Sequence, residues 1–409
     1  MNKFVEIFQY VQLSATMALV ATLPLPDVNP LFRVSMAFFI VTYVADVILT
    51  KRYKQIAWDY RLLYFLVMLA LFMLGFVYVP FSHTDVWFQP MMELRLPLLI
   101  FSIVGVFGLN SKHRFSYFVH IMPILAFIYS IYVLAGVNIG SFFSHGADRS
   151  YLFQIARIER LNQHMKYNFF MNTAVLCFVW IFVGYKFSKL KTVFYSLLMV
   201  IPVYTLFITE GRSGFLAFLM VCVSIILYYT IKFRKWIMLG IYLFLFLGAA
   251  AYSLTTKWRL APEQVKAEPR LFLWNDVALP LILERPVAGY GVSDAQSETM
   301  RLKDEKLPPE LEQLWTPDNR VDVHNQYLQT FLEFGVIGEI MLLFLYIFPI
   351  ALVSGKRRAF MIVFVMLSMW QSFFDLFLMG QFGIMFCLTV ILTLLPLEPK
   401  DFVRKELGV

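Results

Sequence analysis

The apolar residues of this chain fall into runs of membrane-spanning length, at about 4–23, 31–50, 62–80, 95–109, 115–136, 168–185, 192–209, 213–231, 236–254, 336–353, 359–377 and 379–396. The pattern predicts an all-α integral membrane protein with about twelve transmembrane helices. One polar interval is long. Residues 256–323 mix both charge signs with several prolines and with Trp258, Trp274 and Trp315. The chain therefore divides into helices over 1–255, a large loop containing short helices over 256–323, and the last helices with a tail over 324–409. A loop of that length between spans points to a lid or a site-building segment. Within it, P-R-L-F-L-W-N-D-V-A-L-P-L-I-L-E-R-P has the amphipathic period of a helix from Arg270 to about Glu284, closed by Arg285-Pro286 and the turn A-G-Y-G-V. Residues 151–166 read as a second interfacial helix, with Arg157, Arg160 and His164 on its polar side.

Composition agrees with a polytopic membrane protein: 60% of residues are hydrophobic and only 15% charged. The net charge of +8 comes from short basic clusters between apolar runs, which argues for membrane topology and against nucleic acid. Lys51, Arg52, Lys54 and Arg61 form one cluster, Lys112 and Arg114 another, and Lys356, Arg357 and Arg358 a third, all on the side of Lys3. The positive-inside rule makes that side cytoplasmic, together with both termini. The long loop, the turn T-E-G-R-S-G around Arg212 and the stretch F-S-H-T-D-V-W-F-Q-P near 85 then face away from the cytoplasm. The N-terminal run has no clear small-residue cleavage site and reads as a retained first span. Cys177, Cys222 and Cys387 lie inside apolar runs without C-x-x-C spacing, which supports neither a disulfide framework nor a thiolate metal site.

Candidate chemistry concentrates in Val321 to Gly338, V-D-V-H-N-Q-Y-L-Q-T-F-L-E-F-G-V-I-G, where the polar loop meets an apolar helix. Read as one helix, it places His324, Leu328, Phe331, Gly335 and Gly338 on one face, with Asp322 as N-cap and His324 in the first turn. That position disfavours imidazolium and suits a general base, or alternatively a polar cap on a helix whose glycines allow close packing. Arg212 is a cation in a tight turn on the side that the charge rule disfavours, where it serves either as an oxyanion ligand or as a snorkelling anchor. Arg270 stands four residues before Trp274, so the two share a helix face as a structural pair or a substrate clamp. Arg285, Arg149, Arg157 and Arg160 form a second tier of cations suited to headgroup contact. The chain has no D-x-D pair, H-E-x-x-H, Walker A loop or G-x-S-x-G elbow, which argues against metal- or nucleotide-dependent chemistry.

His324-Asn325, nine residues and then Gly335-x-x-Gly338 resembles the signature of the O-antigen ligase family, within a superfamily that also holds O-antigen polymerases. The Arg212 turn is similar to that family's periplasmic arginine turn. R-L-F-L-W from Arg270, followed by Pro286, Gly289 and Gly291, is similar to the arginine motif of its large periplasmic loop. One departure is Gly211, where the family often has a hydroxyl residue. The resemblance implies a bacterial inner-membrane glycosyltransferase with a periplasmic site and no cofactor or metal. Its donor would be a glycan on undecaprenyl pyrophosphate, its acceptor a hydroxyl of lipid A core oligosaccharide, and membrane lipid its surroundings. It further implies His324 as catalytic base, Arg212 and Arg270 on the pyrophosphate, and Asn325, Gly335, Gly338, Trp274 and Arg285 in support. A polymerase using a second lipid-linked glycan is the nearest alternative, and a lipid-linked glycan transporter the alternative of another class.

Overall fold

A computed structural model describes residues 3–26, 28–56, 58–135, 163–184, 188–208, 212–234, 240, 244, 269–309, 311 and 322–395. The helices are α1 (Lys3–Thr22), α2 (Pro30–Thr50), α3 (Tyr60–Val77), α4 (Phe88–Leu94), α5 (Leu96–Phe107), α6 (Phe115–Leu134), α7 (Gln163–Gly184), α8 (Lys189–Ile208) and α9 (Arg212–Phe233). The long loop contributes α10 (Pro269–Phe272), a π-helical turn at Leu273–Ala278, α11 (Leu279–Glu284) and α12 (Val292–Lys306). The chain then runs through α13 (Gln326–Leu352), α14 (Gly355–Ser372) and α15 (Gly380–Leu394). Each apolar run lies on a helix except 236–254, which falls outside the described residues apart from 240 and 244. Among the described residues seven helices are long and apolar enough to cross a membrane, or eight if α4 and α5 are one bent span. The expected interfacial helix 151–166 lies outside the described residues up to 162, and α7 takes its last residues.

The 42° bend between α4 and α5 has a local cause. Pro97 in the first turn of α5 has no N–H to continue the ladder, and Arg95 between the helices leaves helical geometry with φ −91° and ψ −2°. Arg95 is buried, its guanidinium paired with the buried carboxylate of Glu333 on α13 and lying 5.7 Å from the Phe334 ring. A buried charge survives only when paired and hydrogen-bonded, and Gln329 Nε2 donates to the other Glu333 oxygen at 2.7 Å.

At one end of the bundle, basic loops meet α1. Arg52 pairs with Asp46 and donates to the Gly108 carbonyl, while Asn110 Nδ2 donates to Gln12 Oε1 and Asp46 Oδ2 at 3.1 Å each. His113 is buried in the same cluster, which pushes its imidazole down to about 3, with Arg52 adding to the effect. At the opposite end, the loop after α14 meets the start of α13, and the start of α15 meets the loop after α1. Gln381 Nε2 donates to the Leu25 carbonyl, and Leu378 N donates to Gln326 Oε1 at 2.9 Å. That end carries the candidate site.

Candidate functional site

His324 does not stand in a helix. Its φ of 47° puts it in the left-handed region, and α13 starts two residues later. The N-cap is Asn325 rather than Asp322: its side chain accepts from Tyr327 N at 3.0 Å and Leu328 N at 3.1 Å. Asp322 has another partner. Its Oδ1 accepts from His324 N at 3.0 Å and stands 3.0 Å from His324 Nδ1. A neutral ring that keeps its Nδ1 proton on Asp322 presents Nε2 as an acceptor, on a side chain 46% exposed. The expected single face from His324 to Gly338 is also corrected. Gly335, at φ 61° and ψ −155°, breaks the helix, so the glycine stripe below the histidine is not continuous.

That break is where the long loop attaches. With the helical ladder interrupted, Tyr290 N donates to the Leu332 carbonyl and Gly291 N to that of Glu333, both at 2.8 Å, while Val336 N donates to the Pro286 carbonyl at 3.0 Å. Gly289 (φ 72°) and Gly291 (φ 83°) take backbone conformations that side chains rarely adopt. A Cβ at Gly289 would stand 2.6 Å from the Glu333 carbonyl carbon, and one at Gly335 would stand 2.2 Å from Val287 O. The P-x-x-G-x-G and G-x-x-G patterns are thus two halves of one joint.

The same loop reaches the histidine from the other side. Trp274, in the π-helical turn, donates its indole N–H to the Val323 carbonyl at 2.7 Å, fixing the residue next to His324. Arg270 lies in α10, one turn earlier, half-buried, and is neither ion-paired nor stacked on Trp274 among the described residues. Such a cation suits an anionic ligand. Arg285 is otherwise engaged: it is exposed, its guanidinium lies 4.6 Å from the Tyr290 ring, and Tyr290 donates to Glu284 at 2.6 Å.

Arg212 opens α9, and its side chain lies outside the described residues. The backbone around it is tied to the site, because Trp370 Nε1 on α14 donates to the Ser213 carbonyl at 3.0 Å and Asn172 Nδ2 to that of Gly214 at 2.9 Å. A Cβ at Gly214 would meet Asn168 at 2.3 Å, so α7 and α9 approach closely where both begin. Tyr327 OH donates to the Met369 carbonyl at 3.0 Å, bringing the end of α14 to the start of α13. Arg149, Arg157, Arg160, Trp258 and Trp315 lie outside the described residues.

Asp375 is marked in the sequence as one of the few carboxylates near a span end but is given no role in the site there. It stands in the loop after α14, where burial holds its carboxyl above the usual carboxylate range; the Asp322 charge adds to this, while His324, the Leu376 N–H and Lys166 oppose it. These groups come from three separated stretches of sequence, and only the D-x-H spacing of Asp322 and His324 was a visible signal. The raised value has a consequence for stability. The native state holds the Asp375 proton longer than the unfolded chain, so this stabilisation is present at acid pH and is lost as pH rises through the raised value. Asp375→Asn is therefore expected to raise the melting temperature in detergent at pH 7.5 and to change it less at pH 4; an equal shift at both would remove the titration argument. Among the described residues no group of histidine, cysteine and acidic side chains is placed to hold a metal.

Residues 197–343 match the family model described as O-antigen ligase, a stretch that contains Arg212, Arg270 and His324 but not Arg149, Arg157 or Arg160. A Rickettsia conorii protein provisionally described as a polysaccharide ligase is 29% identical over 157 residues, 36% of this chain and 36% of that relative. The match thus spans about a third of the relative's length.

Proposed function

We propose, from the match of residues 197–343 to the O-antigen ligase family model, that the protein is a bacterial inner-membrane glycosyltransferase that moves a glycan from undecaprenyl pyrophosphate to a hydroxyl of lipid A core oligosaccharide. The observation that carries this reading is the Asp322–His324 pair, set at the bundle end where Trp274 docks the Arg270 helix. His324 Nε2 takes the proton of the acceptor hydroxyl, whose oxygen attacks the anomeric carbon as the bond to the pyrophosphate oxygen breaks. Undecaprenyl pyrophosphate leaves and the configuration inverts. Asp322 holds the ring and stabilises the imidazolium, as a buried carboxylate does for a triad histidine. Arg270 and Arg212 stabilise the charge that grows on the leaving group. The donor is already activated, so neither metal nor nucleotide takes part.

The donor's tail has a place to lie. An apolar groove of about 270 Å³ runs between α7, α9 and α14, lined by Trp180, Ile225, Phe360 and Val363. The opposite ends of these three helices carry residues 166, 212 and 370. Basic loops at one end of the bundle support a cytoplasmic assignment for it, which turns the His324 end to the periplasm.

Purified protein given undecaprenyl-pyrophosphate glycan and lipid A core, with a chelator and without nucleotide, is expected to yield glycosylated core. Lengthened donor glycan over an untouched core would identify a polymerase. No transfer to either acceptor in detergent, where there are no sides to transport between, would return the transporter reading.

A further inference from the structure

The stretch Phe81 to Pro90 has no part in the chemistry above, yet it is built with care. Asp294, in the first turn of α12 and only 5% exposed, gathers the loop after α3: Ser82 Oγ donates to it at 2.6 Å, His83 N at 2.9 Å and Thr84 N at 3.2 Å. Trp87 N donates to the neighbouring Ser293 hydroxyl at 3.2 Å. One buried carboxylate thus fixes the loop's backbone before any ligand arrives, which removes ordering cost from binding. The fixed loop borders a cavity of about 310 Å³ between the end of α3, the start of α4 and the start of α12.

The cavity's walls are of two kinds. Tyr78 and Phe88 supply aromatic surface, while His83, Thr84, Asp85 and Ser293 supply polar groups. The His83 and Asp85 side chains are exposed and make no hydrogen bond to the described residues. Among the described residues no lysine or arginine lines the space, which argues against phosphate. Apolar faces beside a few convergent donors and acceptors suit a sugar ring, whose C–H faces lie on aromatics and whose hydroxyls bond a carboxylate and an imidazole. Tyr78 also donates to the Ala288 carbonyl and packs on Gly291, so the cavity shares a wall with the joint that fixes α13.

We propose that this cavity is a carbohydrate subsite that holds an uncharged sugar residue of one of the two glycan substrates, with Asp85 and His83 as its hydroxyl partners and Tyr78 and Phe88 as its platform. The substrate class rests on the glycosyltransferase reading, but binding can be measured without turnover. The probes are two lipid-free oligosaccharides released by mild acid from the lipopolysaccharide of cells that make this protein, the core fragment and the O-polysaccharide fragment. Titration calorimetry on the full chain in detergent is expected to show binding of one of them, weakened at least 10-fold in Asp85→Asn and His83→Ala. Phe88→Ala should do the same, although Phe88 also packs on Phe76 at 5.4 Å, so the exposed Asp85 and His83 decide. In the transfer assay the KM for the glycan that binds should rise while kcat stays the same. The fragment that binds tells acceptor from donor. Wild type binding neither fragment, or both polar variants binding and transferring like wild type, would overturn the subsite. Binding lost in the variants of a wild type that transfers nothing would keep the subsite and sink the glycosyltransferase.

Discussion

His324→Ala is expected to slow glycan transfer about 10²- to 10⁴-fold at saturating donor and acceptor, the range that a positioned general base contributes. The loss should fall on kcat, because the proton moves only as the acceptor oxygen attacks. Asp322→Ala tests the geometry behind that number. With Asp322 Oδ1 holding both the backbone N and Nδ1 of His324, its removal releases the left-handed turn at φ 47° and the ring's tautomer together. Where a carboxylate fixes both tautomer and imidazolium, its loss costs as much as about 10⁴-fold. Arg270→Ala should cost about 10²- to 10³-fold if it stabilises the departing pyrophosphate. The His324 and Asp322 effects would not add, since base and orienter act as one unit. An Asp322→Ala variant as active as wild type beside a dead His324→Ala would mean that the ring needs no orienter. A His324→Ala variant retaining more than about a tenth of wild-type kcat would remove the base altogether.

The helices were legible because membrane spans announce themselves by length and apolarity, which depend on no distant contact. His324, Asn325 and the loop arginines were legible as polar residues at a loop-to-helix boundary. The local geometry was not. Asp322 and Asn325 both suit an N-cap, and choosing between them requires knowing where the helix begins, which the Leu378 N–H bond to Gln326 and the Trp274 bond to Val323 help to fix from far along the chain. Asp375 meets His324 and Lys166 only through the packing of α7, α13 and α14, which leaves no trace in spacing. The misread stripe is the most instructive case. A 3.6-residue period assumes an unbroken helix, so Gly335 was counted for the face it would occupy. Its use is the backbone conformation that a missing side chain allows.

Gly335→Ala is the substitution expected to harm stability most. The backbone there, at φ 61° and ψ −155°, belongs to a region that glycine alone occupies readily, which costs any other residue about 1–3 kcal/mol. The new Cβ would also stand 2.2 Å from the Val287 carbonyl oxygen and 2.7 Å from Ala288 N, and backbone cannot rotate away as a side chain can. Relief requires the loop to withdraw, which breaks the bonds from Tyr290, Gly291 and Val336, each worth about 0.5–1.5 kcal/mol. Together these make a loss of roughly 2.5–7.5 kcal/mol, reaching into the range reserved for a broken structural device. Gly355→Ala is the control, because Gly355 has a similar φ of 58° and nothing within 4 Å of its would-be Cβ, so it carries backbone strain without collision. Melting temperature in detergent should fall much further for Gly335→Ala than for Gly355→Ala, and Gly289→Ala, which meets the same joint from the loop side, should resemble the former. Equal shifts at 335 and 355 would mean that the loop yields freely, and then neither the joint nor the placement of Trp274 beside Val323 could hold His324 rigid enough to serve as a base.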